Sequence, residues 1–197
     1  MLYVSQLDYQ HIPYRTMTDK PDDDWGINST VRSSGCGLCA AVMVADRLLI
    51  KPKFGVKSAV ALSYKTGANH GVGTDYGIFA PAFAKRFGFK LEKTSSLKKL
   101  EKCLKTGGCA VAHVRPAPDG SKPYFSNGGH YITVIGVEPD GRFAILDPSL
   151  KPDKFDTPER RGKVEVKGKI CFCAPAVLEH DVEWSVPENR GFYLFSR

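Results

Sequence analysis

The sequence predicts an α+β fold, an N-terminal helical layer packed on a C-terminal antiparallel sheet. Apolar residues recur at helical spacing through the first half of the 197-residue chain. From residue 109 the apolar period drops to two, the spacing of strands. A tight turn at Pro139–Asp140–Gly141 joins two of these strands. Helices first and strands after suit segregated layers, not alternating βαβ units. No internal repeat or composition break divides the chain, so one domain over 1–197 is expected.

The elements follow in order. Residues 1–35 look irregular, with Pro13, an acidic run at Asp22–Asp23–Asp24 and NSTVRSSG. GCGLCAAVMVADRLLI then reads as a helix, with Ser33 and Ser34 where caps would sit and Leu38, Val42, Ala45 and Leu49 at helical spacing. Residues 55–66 form a second helix closed by Gly67. Thr74 is the expected cap of a third, DYGIFAPAFAKRF, ended by Gly88 and kinked or split by Pro81. SLKKLEKCLKT (96–106) is a fourth, stopped by Gly107–Gly108. CAVAHVR (109–115), HYITVIGV (130–137) and FAILD (143–147) are strands; KICFC (169–173) and FYLFS (192–196) are further candidates.

Bulk properties narrow the function. The formal charge is +7. The basic residues are dispersed: Lys98, Lys99, Lys102 and Lys105 on a helix, Arg160, Arg161 and Lys163 in a loop. No helix-turn-helix, zinc finger or aromatic-interleaved motif accompanies them, so nucleic acid is not an expected partner. No run of eighteen apolar residues is present, so no membrane span is expected. MLYVSQLDYQ lacks a basic region followed by an apolar stretch, the pattern of a secretory signal. The expectation is a cytoplasmic protein, or one released without a signal peptide, with its six cysteines mostly reduced. Cys36-x-x-Cys39 could be a redox pair or half a zinc site, but Cys171 and Cys173 are too close together to complete tetrahedral ligation well. No metal or cofactor is expected.

The residues with chemistry begin at Cys36. It lies where an irregular segment becomes a helix. There the dipole and unpaired N–H groups stabilise a thiolate, and later an oxyanion. Gly35 and Gly37 would let a substrate backbone approach the sulfur. A thiolate nucleophile needs a base. Of the five histidines, His130 follows Gly128–Gly129 and opens an apolar strand, while His113 sits mid-strand as a core histidine would. Asp147 ends the next strand and could orient the imidazole. Alone, Cys36 and His130 each have an ordinary alternative: a buried cap cysteine and a strand-edge histidine. The hairpin register is also imperfect. Pairing through a three-residue turn sets Asp147 opposite Thr133, roughly 10 Å from His130 at about 3.3 Å per residue. A bulge, strong twist or longer loop must close that gap.

Together these pieces carry a resemblance. SQLDY, SSGCGLCAAVMV, GVGTDYGIFAPAFAKRFGFKL, GGCAVAHVRP, NGGHYITVIGV and FAILDPS run in the order found in papain-clan cysteine peptidases resembling the bacterial family thirty-nine, the C39-like group. The resemblance spans roughly residues 4–150. It implies a papain-like cysteine peptidase fold, Cys36 as nucleophile, His130 as base, Asp147 as orienting residue and Gln6 as oxyanion donor. It implies a thiol hydrolase acting on a peptide, a protein or a peptidoglycan cross-link; the small size, positive charge and missing signal would suit a phage or prophage lysin, among other settings. Transfer to an amine or thiol, as in a transpeptidase, would use the same site. An inactive peptidase-like binding module is the alternative of another class. The sequence departs from the group at Gly37–Leu38–Cys39, where relatives have Gly-Pro and then Thr or Ser. Cys39 is expected to pack, with a regulatory disulfide as its other possible use. The sequence leaves the oligomeric state and the role of residues 150–197 without a reading.

Overall fold

The computed structural model describes residues 2–16, 29–49, 53–183 and 191–197. The acidic run at 22–24 and the last residue of the first expected helix lie outside them.

The helices are α1 (Val31–Ser34), α2 (Cys36–Leu48), α3 (Val56–Thr66), α4 (Tyr76–Phe87), α5 (Leu97–Lys105) and α6 (Pro175–Glu183). The strands are β1 (Lys90–Thr94), β2 (Cys109–Val114), β3 (His130–Val137), β4 (Phe143–Leu146), β5 (Val164–Lys167), β6 (Ile170–Cys173) and β7 (Phe192–Ser196). Among the described residues they form one sheet in the order β1-β7-β2-β3-β4-β6-β5, every neighbouring pair antiparallel. β2 is buried on both faces along its whole length. It carries a continuous apolar run because neither face meets water.

α2 is the central helix. Residues Gly37 to Ala45 are all buried, and a helix apolar on every side belongs in a core. Ala40, Ala41 and Ala45 keep it thin enough to lie close against β2 and β3. With α3 and α4 it covers one sheet face, packing Leu38, Met43, Phe79 and Phe83 over Tyr131, Leu146 and Phe195. The other face is covered too. Leu100 and Leu104 of α5 and Leu178 of α6 pack on Ala112, Ile132, Val134 and Phe192. The helices therefore form two layers, not the single layer expected.

Several local expectations are corrected. Ser33 and Ser34 belong to α1, and the Ser33 hydroxyl accepts a hydrogen bond from the Thr30 N–H. They do not cap α2, whose cap position is Gly35 and receives no side-chain bond. Asp75, not Thr74, caps α4 through the N–H groups of Gly77 and Ile78. The Thr74 hydroxyl instead bonds Tyr14. Pro81 does not split α4, which runs unbroken from Tyr76 to Phe87. β1, β5 and α6 escaped the sequence reading. β1 (KLEKT) and β5 (VEVK) are edge strands rich in charge, a composition that discourages further pairing and masks the strand pattern.

Gly35 marks the break between α1 and α2. A Cβ there would sit 2.5 Å from Val31 Cγ1 and 2.6 Å from the Val31 carbonyl oxygen. Replacing Gly35 with alanine is expected to cost about 2–3 kcal/mol through overpacking. Gly55→Ala, where a Cβ meets nothing within 4 Å, is expected to stay within about 0.5 kcal/mol. Urea unfolding of both variants measures the difference, and equal midpoints would refute it.

Candidate active site

Cys36 is the first residue of α2 and is partly exposed. With Gly35 uncapping the helix, the first N–H groups remain available to an anion. The imidazole of His130 and the N–H groups of Tyr131 and Gly37 favour the charged form of the sulfur. Burial pushes the thiol toward its neutral form. The bond and charge of His130, with the two N–H groups, outweigh it, and the thiol is more acidic than an ordinary cysteine. Gly37 has a role other than the expected one. A Cβ there would lie 3.1–3.2 Å from Tyr76, Thr74 and Tyr131, so its small size lets α2 seat against the sheet.

His130 opens β3 and is 5% exposed. Its Nε2 lies 2.8 Å from Asp147 Oδ1, leaving Nδ1 for the sulfur. The register problem is resolved by a bulge. Val134 pairs with Ile145 but Gly136 pairs with Ala144, so Ile135 is an inserted residue. Continued, this register sets Asp147 opposite Ile132 in place of Thr133. The offset from His130 shrinks to two residues, roughly 7 Å at about 3.3 Å per residue. An even offset also preserves the face of the sheet, whereas an odd one reverses it. The packing agrees: Ile132, Val134 and Ile145 share one core, while Tyr131, Ala144 and Leu146 share the other. Asp147 thus emerges on the side from which His130 projects.

Asp147 is fully buried. Burial opposes its charge, but His130 and Lys154 override that penalty and hold the carboxyl well below its ordinary range. Burial likewise disfavours the imidazolium of His130, and Asp147 and Cys36 reverse the effect, raising its pKa. Tyr3 donates to the Asp147 carbonyl at 2.8 Å.

Sequence reasoning missed Lys154. Its side chain is 8% exposed and its ammonium group contacts Asp147 Oδ2. It also donates to Ser149 Oγ at 2.7 Å, and that hydroxyl lies 3.1 Å from both Asp147 Oδ1 and His130 Nε2. A lysine in a polar stretch such as SLKPDKFD reads as solvated. Only the fold shows that the loop doubles back. Arg160 holds that loop by donating to the Lys154 carbonyl at 3.2 Å and to Asn127 Oδ1 at 2.6 Å. Asp181, buried on α6, accepts from the N–H groups of Tyr124 and Phe125 at 2.8 and 2.9 Å. It anchors the segment that leads into Gly128–Gly129–His130.

Gln6 is also buried, in a 3-10 turn at Gln6–Asp8. Its N–H donates to the Pro148 carbonyl at 2.8 Å, beside Asp147. Its Nε2 donates to the carbonyl of Arg32 at 2.7 Å, four residues before Cys36. One Nε2 hydrogen remains for another acceptor. Cys39 is fully buried with its thiol pushed well up by burial. It is a free thiol that packs in the core. His113 stacks on Tyr131 with ring centroids 4.6 Å apart.

Two grooves flank the SNGGHY segment. One, about 320 Å3, is lined by Gly71, Val72, His113, Arg115, Gly129 and Tyr131. The other, about 400 Å3, runs past Leu7, Asn127, Ser149, Lys151, Lys154 and Arg160. A larger hollow of about 600 Å3 at Arg47, Gly107 and Arg197 lies by the far end of β2, away from this chemistry.

No family model matches the chain, and no curated protein matches its sequence. Its fold is similar to that of a Bacillus anthracis crystal structure provisionally described as a C39-like peptidase. The TM-score is 0.54 at 12% identity, over 95% of this chain and 96% of that one. The likeness is one of fold. The chain has a peptidase-like α+β fold, and among its described residues no helix is long and apolar enough to cross a membrane.

The electrostatics of Cys36 have a measurable consequence. Iodoacetamide at pH 7 is expected to modify Cys36 well ahead of Cys103, whose partly buried thiol is shifted up. In His130→Ala the alkylation midpoint of Cys36 should rise by about one pH unit or more. Equal rates at the two cysteines, or an unmoved midpoint, would contradict the arrangement.

Proposed function

We propose that this protein is a cysteine hydrolase that cleaves an amide through an acyl-thioester. The observation that carries this reading is the Cys36 thiol at an uncapped helix start. It is bonded to an imidazole whose other nitrogen is held by buried Asp147.

The thiolate of Cys36 attacks the carbonyl carbon of the scissile amide. The resulting oxyanion takes the Cys36 N–H and the remaining Nε2 hydrogen of Gln6. His130 then gives its proton to the leaving nitrogen, the C–N bond breaks, and a thioester remains on Cys36. His130 takes a proton from water as the water attacks the thioester. The C–S bond breaks, a carboxylic acid leaves, and the thiolate re-forms with the imidazolium. Asp147 fixes the tautomer and plane of the ring throughout.

The substrate class is an extended peptide: a protein segment, or a peptidoglycan cross-link of the kind opened during phage lysis. Grooves run beside the SNGGHY segment that delivers His130, and an extended chain would lie along them. Their charged lining is mixed, Arg115, Lys151 and Arg160 beside Asp75 and Asp153, which suits a polar peptide chain.

Casein and isolated cell-wall muropeptides serve as the two test substrates, with mass spectrometry of the products. Hydrolysis of one is expected, and Cys36→Ala should lower it by about a thousandfold or more. An added amine should divert part of the acyl-enzyme into a transfer product. Full turnover by the alanine variant would exclude the mechanism. Transfer product without hydrolysis would assign the site to a transpeptidase.

A further inference from the structure

The carboxylate of Asp147 has two buried partners, and only one of them belongs to the proposed chemistry. Oδ1 faces His130 Nε2 at 2.8 Å, and Oδ2 faces the ammonium of Lys154. A buried lysine is costly unless its charge is paired and its remaining protons are bonded. Here both conditions are met: Asp147 supplies the charge, Ser149 Oγ accepts at 2.7 Å, and the Phe155 ring lies 5.9 Å away. The Ser149 hydroxyl also bridges back to Asp147 Oδ1 and His130 Nε2. Lys154, Ser149, Asp147 and His130 therefore form one continuous hydrogen-bonded cluster ending at the Cys36 sulfur.

The cluster contains one carboxylate between two groups able to carry positive charge. Without Lys154, a fully buried carboxylate would act on the imidazolium alone and hold its proton strongly. A cation on the second oxygen offsets that field. The other groups that face the imidazole are Cys36 from α2 and the Ser149 hydroxyl. Around Asp147 they are the Tyr3 hydroxyl and the Cys171 thiol. Both are pushed up to about 12 and stay neutral at physiological pH. Lys154 is thus the one fixed cation, among the described residues in contact with Asp147, that offsets its charge.

We propose that Lys154 is a positioning residue of this site. By sharing Asp147 with His130, it locks the carboxylate in place and leaves the imidazolium acidic enough to protonate a departing amine. The proposal rests on the reading of Cys36 and His130 as nucleophile and acid, and it adds a fourth member from the part of the chain beyond residue 150. Arg160, through the Lys154 carbonyl, holds that member where it acts.

The test is the titration of His130, followed by NMR of the ring in the parent chain, Lys154→Met, Lys154→Gln and Lys154→Arg. Glutamine keeps a donor for Asp147 and Ser149 without the charge, so it serves if the methionine variant does not fold. Both neutral variants are expected to raise the His130 midpoint by about one pH unit. The alkaline limb of Cys36 alkylation should move up with it. Arginine keeps the charge and should return the midpoint to within about 0.3 units of the parent. An unmoved or lowered midpoint in Lys154→Gln overturns the proposal, even where the rate falls, and so does a raised midpoint that Lys154→Arg fails to bring back, because looser packing also relieves the burial that disfavours the imidazolium. The ring titration needs no substrate. A shift of the expected sign in a chain without hydrolase activity would sink the hydrolase reading and leave the electrostatic role of Lys154 in place.

Discussion

At the centre of the molecule the uncapped start of α2 is pressed against the first residues of β3. The thiol of Cys36 has partners from both: the N–H of Gly37 on the helix, and the Tyr131 N–H and His130 ring on the strand. Buried alone, a thiolate would be unfavourable and the cysteine would be an inert core residue. The juxtaposition reverses that balance, and much of the surrounding packing serves to maintain it. Gly37 admits Tyr76 and Tyr131 at van der Waals distance, Tyr76 stacks on Tyr131 at 4.7 Å, and Thr133 reaches the Ala40 carbonyl.

The same logic extends behind the imidazole. A carboxylate with no exposure is tolerable because it is shared between a ring and an ammonium group and bonded by a hydroxyl. The ledger of burial against pairing is favourable at Asp147 and His130, and unfavourable at Cys39 and Cys109. Those two cysteines are equally buried, but their thiols are pushed up and they act as small apolar side chains. Position relative to charge, not residue type, separates Cys36 from its neighbours.

The late part of the chain, whose role the sequence left unread, supports the site from several directions. β7 completes the centre of the sheet beside β2. Asp181 ties down the connection that delivers Gly128–Gly129–His130. The loop after Asp147 returns Lys154 to the carboxylate under the hold of Arg160. The β2–β7 pairs lie 80 to 86 positions apart, Asp181 and its partners 56 and 57, and the Lys154 contacts close a loop, so no local pattern announces them.

The sequence by itself determined the class of the fold, because helical and strand periods are local properties of apolar spacing. It also singled out Cys36, His130 and Asp147, since helix starts, glycine pairs and strand ends are local as well. Edge strands were illegible, because β1 and β5 are made by their neighbours and not by their own residues. The bulge at Ile135 was illegible too: nothing in HYITVIGV marks which residue will be left unpaired. That one insertion decides whether Asp147 faces His130 or the opposite side of the sheet, and it exists only in the pairing of two strands. Lys154 was decided at the same level, for a lysine becomes a buried partner only when the folded chain encloses it.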